Sequence, residues 1–244
     1  MKDELSLKTL AQIVNENHQT AAVFEKYSLD FCCKGKRSLE KACVENNLPV
    51  EVVIGELTTM SAENQPSSMD SDTVSLTELT NYIVSTHHDY TKKELPQIFA
   101  WLQKVSAKHG DRHPELYRIF ECFASLKEEL EDHMRKEELI LFPRIVEMEN
   151  SADYSKISPL YLQAPVTLME HEHEQAGILL KEIHRYSNNY IPPADACTTY
   201  RLSFAALQAF EADLHRHIHL ENNILFPKAI KLFERHRNST TIQS

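Results

Sequence analysis

Between residues 74 and 236, apolar positions recur at intervals of three and four through four long stretches, roughly 75–108, 114–149, 158–189 and 195–236. That is the period of a helix with one face turned to a core. Short polar breaks such as KHGDRHPE and NNYIPPAD separate the stretches, which predicts an all-α protein built on an antiparallel, up-and-down four-helix bundle. Pro96, Pro143 and Pro227 fall inside helical stretches. A proline removes a backbone donor and crowds the preceding turn, so each is expected to kink or restart its helix. Residues 1–60 read instead as a small helical domain of short elements: LKTLAQIVNEN, AAVFEKY, SLEKACVENN with Ser38 as N-cap, and PVEVVIGEL opened by Pro49. SAENQPSSMDSD is polar and has no apolar period, which predicts a linker over 61–73. The bundle then spans 74–236, and 237–244 is expected to be a loose tail.

The apolar stripes contain residues that do not belong in a greasy core. Aligned at an offset of 84, the second and fourth stretches give Phe123, Leu126, Leu130, His133, Glu137, Ile140 against Leu207, Phe210, Leu214, His217, Glu221, Ile224. The steps are 3, 4, 3, 4, 3 in both, so all six positions share one face of a helix. The first and third stretches align at an offset of 85: Val84, His88, Thr91, Leu95, Ile98 against Met169, His173, Ala176, Leu180, Ile183. This register selects His88 over His87 and His173 over His171, because a stripe through His171 would also carry Glu174 and Lys181. His87, His171, His215 and His219 are expected off the stripes.

An isolated histidine on an apolar face is usually a satisfied core residue. Four inward histidines in an internal repeat, with two inward glutamates one turn further on, need a stronger cause, because unpaired buried imidazoles and carboxylates each cost several kcal/mol. Two cations shared between them would compensate the whole set. Imidazole and carboxylate donors without a thiolate suit iron or manganese and admit zinc. With Glu137 and Glu221 both bridging, each cation receives two histidines and two carboxylate oxygens, with room left for a solvent-derived bridge and an open position.

Bulk composition narrows the remaining choices. The chain has 244 residues, 42% of them hydrophobic, and only 4 glycines, in keeping with long helices around a sizeable core. A formal charge of -10 argues against a nucleic-acid groove, which is built from clustered Lys and Arg. No stretch has the run of about 18 apolar residues needed to span a membrane, and MKDELSLKTL does not resemble a secretory signal. Five cysteines, an odd number, do not suggest a disulfide framework, so a cytoplasmic location is expected.

HMRKEELILFP, MEHEHEQAG and HIHLENNILFP, together with YSLDFCCKGKRSLEKAC near the amino terminus, resemble the bacterial di-iron proteins that repair iron-sulfur clusters, the RIC family, whose bundle is hemerythrin-like. The resemblance covers nearly the whole chain. It implies a non-haem di-iron centre, oxo- or hydroxo-bridged, with His88, His133, Glu137, His173, His217 and Glu221 as ligands and Glu137 and Glu221 as bridges. It implies repair of clusters damaged by nitric oxide or oxidants through iron donation, with damaged iron-sulfur proteins as acceptors. A nitric-oxide-reducing activity at the same centre and a homodimer are further implications. The alternative is an oxygen-binding or iron-sensing module without catalysis. Oxygen-storing hemerythrins use a further histidine, and no fifth inward histidine is found on a stripe here.

Cys32 and Cys33 precede the cationic run from Lys34 to Arg37. Nearby cations favour the thiolate, so a redox, nitrosation or metal-transfer role is expected of this pair, and the resemblance supports it. Cys43, Cys122 and Cys197 read as structural. Glu172, next to a candidate ligand, reads as an exposed helix carboxylate that is also placed to act as an outer base.

Overall fold

The computed structural model describes residues 2–63, 74–151 and 160–241. Described residues form helices joined by short turns, with no strand beyond an isolated bridge between Thr9 and Ser38. The protein is all-α, a four-helix up-and-down bundle preceded by a helical amino-terminal part. Two compact units can be separated: residues 1–75 with 215–228, and residues 76–214 with 229–244.

The amino-terminal elements are α1 (Lys2–Leu7), α2 (Leu10–Glu16), a 3-10 turn (His18–Thr20), α3 (Ala21–Lys26), α4 (Leu39–Glu45) and α5 (Val50–Glu63). The stretch expected as one helix over LKTLAQIVNEN breaks before Leu10, because Thr9 and Gln12 form a reciprocal capping box. Thr9 Oγ1 accepts the Gln12 N–H at 3.2 Å, and Gln12 Oε1 accepts the Thr9 N–H at 2.9 Å. Ser38 caps α4 as expected, accepting from the Lys41 N–H at 3.2 Å. The turn before α4 is tied to the start of α2 through Leu10 N–H to Arg37 O at 3.0 Å and Ala11 N–H to Gly35 O at 2.9 Å. A β-carbon on Gly35 would stand 2.2 Å from the Phe31 carbonyl oxygen, so only glycine lets this turn close. The expected linker begins inside α5 and from residue 64 onward lies outside the described residues.

The bundle stretches are α6 (Leu76–Ile83) with α7 (Asp89–His109), α8 (Glu115–Lys136) with α9 (Phe142–Asn150), α10 (Leu160–Tyr186), and α11 (Thr198–Leu220) with α12 (Phe226–Thr241). Within its unit, α8 packs against α7 and α10, and α6 packs against α9. The Glu149 carboxylate of α9 accepts the Leu76 and Thr77 N–H groups at 2.7 and 2.8 Å, holding the first turn of α6 in place. Fully buried side chains such as Phe123, Leu126, Ile119 and Ile98 each contribute about 1.5–3 kcal/mol. α12 continues to Thr241, past the point where the loose tail was expected, and residues 242–244 lie outside the described residues.

Three of the four stretches are interrupted by a five-residue π turn: Val84–His88, Glu137–Leu141 and Glu221–Leu225. Pro143 and Pro227 each stand second in the α-helix that restarts after a π turn. Pro96 and Pro165 sit inside continuous helices. A π turn adds one residue to the winding, and this corrects the expected register. Ile140 is 46% exposed while Leu141 is buried, Ile224 is only partly covered while Leu225 is buried, and Val84 gives way to Ile83. The buried stripe therefore crosses each π turn in a step of five, from Ile83 to His88, Glu137 to Phe142 and Glu221 to Phe226.

Candidate metal centre

His88, His133, Glu137, His173, His217 and Glu221 are all buried. Four of the six lie in the unit of residues 76–214. There, Glu137 Oε2 lies 3.3 Å from His88 Nε2 and 3.3 Å from His133 Nε2, and His133 Nε2 lies 3.0 Å from His173 Nε2. On the α11 segment, His217 Nε2 lies 3.0 Å from Glu221 Oε1. Within the unit of residues 76–214, Glu137 is thus the acid on which His88 and His133 converge, and the turn after α11 repeats the pairing of a histidine with a glutamate four residues on.

The outer nitrogens decide what the inner ones offer. His88 Nδ1–H donates to Glu138 Oε1 at 2.8 Å, and His133 Nδ1–H donates to Glu172 Oε2 at 2.9 Å. With the proton on Nδ1, the Nε2 lone pairs of both rings point inward at Glu137 Oε2. Two such nitrogens converging on a carboxylate oxygen at 3.3 Å repel it unless a positive charge stands among them. This donor set fits a cation.

Both outer carboxylates are tied in turn to a lysine. Lys92 Nζ donates to Glu138 at 2.6 Å, and Lys136 Nζ donates to Glu172 at 2.5 Å. Burial pushes the Glu138 carboxyl up, but the hydrogen bonds from Lys92 and His88 outweigh it and hold the group below its ordinary range. The hydrogen bond from His133, aided by Lys136, holds Glu172 at about 2 against the opposing effect of burial. Both groups are therefore carboxylates at neutral pH, the form that accepts from imidazole and raises its basicity as a ligand. Glu172 is half-buried rather than exposed. Sequence reasoning missed Glu138, Lys92 and Lys136: no periodicity marks a contact between different helices, and the only local hint was a lysine four residues after His88 and three after His133.

Two histidines expected off the stripes are buried. The π turn brings His87 in beside His88, with Nδ1 3.1 Å from both Asp213 carboxylate oxygens. His219 Nε2–H donates to Asn15 Oδ1 at 2.8 Å, and its Nδ1 accepts from Asn223 Nδ2 at 3.3 Å. Burial pushes the His219 imidazole down to about 4. Neither histidine belongs to a metal-capable group. His215 is partly covered, with its ring 6.1 Å from that of Phe31, and His171 is exposed.

The cysteine pair departs from its sequence expectation. Asp30 Oδ1 accepts the Cys33 and Lys34 N–H groups at 3.0 and 3.2 Å. This folds the turn so that Cys32 Sγ lies 3.7 Å from Cys33 Sγ and 3.5 Å from Asp30 Oδ1. The Cys32 thiol is pushed well above its ordinary range by the hydrogen bond with Cys33, by burial and by the charges of Cys33 and Asp30. The cationic run does not activate it, because the groups nearest the sulfur are acidic. Cys33 is half-buried, and Asp30, Cys32 and Cys33 form a third group that could hold a metal ion. The Cys32 carbonyl accepts from Asn223 Nδ2 at 3.0 Å.

Residues 80–229 match the hemerythrin HHE cation binding domain, and residues 6–61 match DUF542, a domain of unknown function. The iron-sulfur cluster repair protein YtfE of Enterobacter sp. (strain 638) is 36% identical over 221 residues, covering 91% of this chain and 96% of that protein. The chain belongs to the hemerythrin-like iron-sulfur cluster repair family. Another member, YtfE of Shigella boydii serotype 4 (strain Sb227), is 36% identical over 212 residues, with 87% of this chain and 91% of the relative covered. The matched region, residues 80–229, contains all six candidate ligands and extends into all four helix stretches. No helix among the described residues is long and apolar enough to cross a membrane.

Proposed function

We propose that this protein repairs damaged iron-sulfur clusters from a centre of two iron ions. His88 and His217 hold one ion, His133 and His173 hold the other, and Glu137 and Glu221 bridge them. The observation that carries this reading is the buried convergence of His88 and His133 on Glu137, with the buried His217–Glu221 pair repeating it. Two histidines on one carboxylate suit a bridging acid better than two separate mononuclear sites. The names of the relatives support cluster repair, and the hemerythrin match supports cation binding by these helices. Iron bound there would supply exchangeable metal and one-electron chemistry toward nitric oxide.

The protein's own residues have distinct tasks in this reading. Glu138 and Glu172 hold His88 and His133 in the Nδ1–H tautomer, and Lys92 and Lys136 keep those carboxylates in place. Asp30, Cys32 and Cys33 form a transfer point for iron, with the half-buried Cys33 as the thiol open to exchange. Residues 1–60 act as a separate small domain, supported by independent family matches to 6–61 and 80–229. The working form is a cytoplasmic homodimer that delivers iron to damaged iron-sulfur proteins.

Metal analysis and Mössbauer spectroscopy of protein from iron-replete cells test the centre, with two coupled irons per chain expected. Activity of a nitric-oxide-damaged iron-sulfur enzyme, measured with and without the iron-loaded protein, tests the role. Mononuclear zinc would overturn the first. A protein that neither restores the enzyme nor reacts with nitric oxide would overturn the second.

A further inference from the structure

Where α7 gives way to α8, and the preceding loop enters α11, a second set of reactive side chains gathers within one unit. The sulfur of Cys197 lies 3.3 Å from Nε2 of His109, the last residue of α7. Cys197 directly precedes α11, and its carbonyl accepts the Arg201 N–H at 3.1 Å, which anchors its backbone. Tyr200 is buried against two imidazoles, with ring centroids 6.0 Å from His109 and 5.8 Å from His113. His109 therefore cannot swing far from the sulfur without displacing a buried ring. His113 is held separately, by Glu115 and Asp195, each at 3.2 Å. The two histidine pairs do not converge into a group of three or more metal-capable atoms. What remains is a half-buried thiol with an imidazole nitrogen within hydrogen-bond distance of its sulfur.

We propose that Cys197 is a modification site that exchanges with low-molecular-weight disulfides, with His109 as its base. The S–H bond of Cys197 breaks as Nε2 of His109 takes the proton. The sulfur forms a new S–S bond to one half of the disulfide while the old S–S bond breaks. The other half leaves as a thiolate and recovers the proton from His109. The Cys197 thiol is thereby oxidised to a disulfide, and the departing half is reduced to a thiol. This exchange does not rest on the metal-centre reading, since His109 lies 21 residues beyond His88 along the helix, about 30 Å at 1.5 Å per residue.

The test treats the full chain, with its metal as isolated, with oxidised glutathione. Differential alkylation and peptide mass spectrometry then give a rate for each cysteine. Cys122 is the reference, being half-buried like Cys197 and in the same unit, and helix content by circular dichroism reports that the bundle is intact. Cys197 is expected to react at least about tenfold faster than Cys122, and His109→Gln to remove about that factor from Cys197 alone, a modest contribution for a positioned base. Equal rates at Cys197 and Cys122 in the unaltered protein would overturn the proposal. An unchanged Cys197 rate in His109→Gln, with helix content retained, would do the same. Should that variant lose helix content, the comparison within the unaltered protein decides.

Discussion

α10 carries His173 through 27 residues without interruption, whereas each of the other three bundle stretches opens into a π turn at a candidate ligand. In α10 the buried positions follow the ordinary helical stripe, Met169, His173, Ala176, Leu180 and Ile183. At the π turns, buried residues come in adjacent pairs: His87 with His88, Leu141 with Phe142, and Leu225 with Phe226. A regular helix gives the core about one position per turn, and a wide turn gives it one more at the cost of poorer hydrogen bonds. The contrast suggests that the wide turns serve the site and the uninterrupted helix serves the scaffold.

The strongest way to break this contrast is to empty the two kinds of position in turn. Glu137→Ala, at a π turn, removes a donor that the proposed centre shares between both ions and is expected to leave less than about 0.2 metal ions per chain by mass-spectrometric metal analysis. His173→Ala removes a donor proposed for one ion only and is expected to retain about half of the metal. Equal losses in the two variants would refute the proposed sharing.

Deleting Leu139, which is 70% exposed in the middle of its π turn, shortens the step from Glu137 to Phe142 from five residues to four. The downstream stripe stays aligned while the wide turn becomes α-helical. The expected result is unchanged helix content by circular dichroism, a melting temperature equal to or above that of the parent, and markedly weaker metal loading. Full loading in this variant would mean that the wide turn has no role in the site.

A smaller effect separates the two outer carboxylates, Glu138 within a π turn and Glu172 on α10. Glu138→Gln and Glu172→Gln are each expected to weaken metal affinity about 10- to 100-fold in chelator competition. A change of less than twofold in either would show that its histidine needs no outer partner.

The smallest effect belongs to the far end of α10. The Glu211 carboxylate, 3.1 Å from His184 Nδ1, raises the pKa of His184 above its ordinary 6.5. The stabilisation is complete below pH 6.5 and fades as the pH rises through the elevated folded value. His184→Gln should therefore cost less than about 1 kcal/mol of stability for so partly exposed a pair, read as a small drop in melting temperature at pH 6 but not at pH 9. A loss of equal size at both pH values would rule out the ionic contribution.

The bundle was largely legible in the sequence because period and proline placement are local properties. The buried stripe through His173 falls where the ordinary helical period puts it, since nothing interrupts the winding of α10. The six polar residues on the stripes were visible for the same reason, and the structure buries all six. The π turns left no mark in composition: VSTHH, EELIL and ENNIL are ordinary helical sequences. Only Pro143 and Pro227, which cannot donate to the preceding turn, hinted that two helices would restart there. Ile140 and His87 were misplaced by that missing residue of winding. His219 was misplaced because its surroundings come from a distant part of the chain, Asn15, whereas the acidic neighbour of Cys32 is local, Asp30 two residues before it, and comes beside the sulfur only once the turn is folded.

The lysines behind the two outer carboxylates bear on how the protein meets its medium. Lys92 and Lys136 have side chains 45% and 38% exposed, so water and ions reach each amine, while the imidazole two hydrogen bonds away stays dry. At physiological ionic strength the screening length is about 8 Å, and it acts on groups that solvent can surround. Added electrolyte should therefore loosen the amine from its carboxylate well before it disturbs the link between carboxylate and ring, leaving the interior indifferent to salt that the rim can feel.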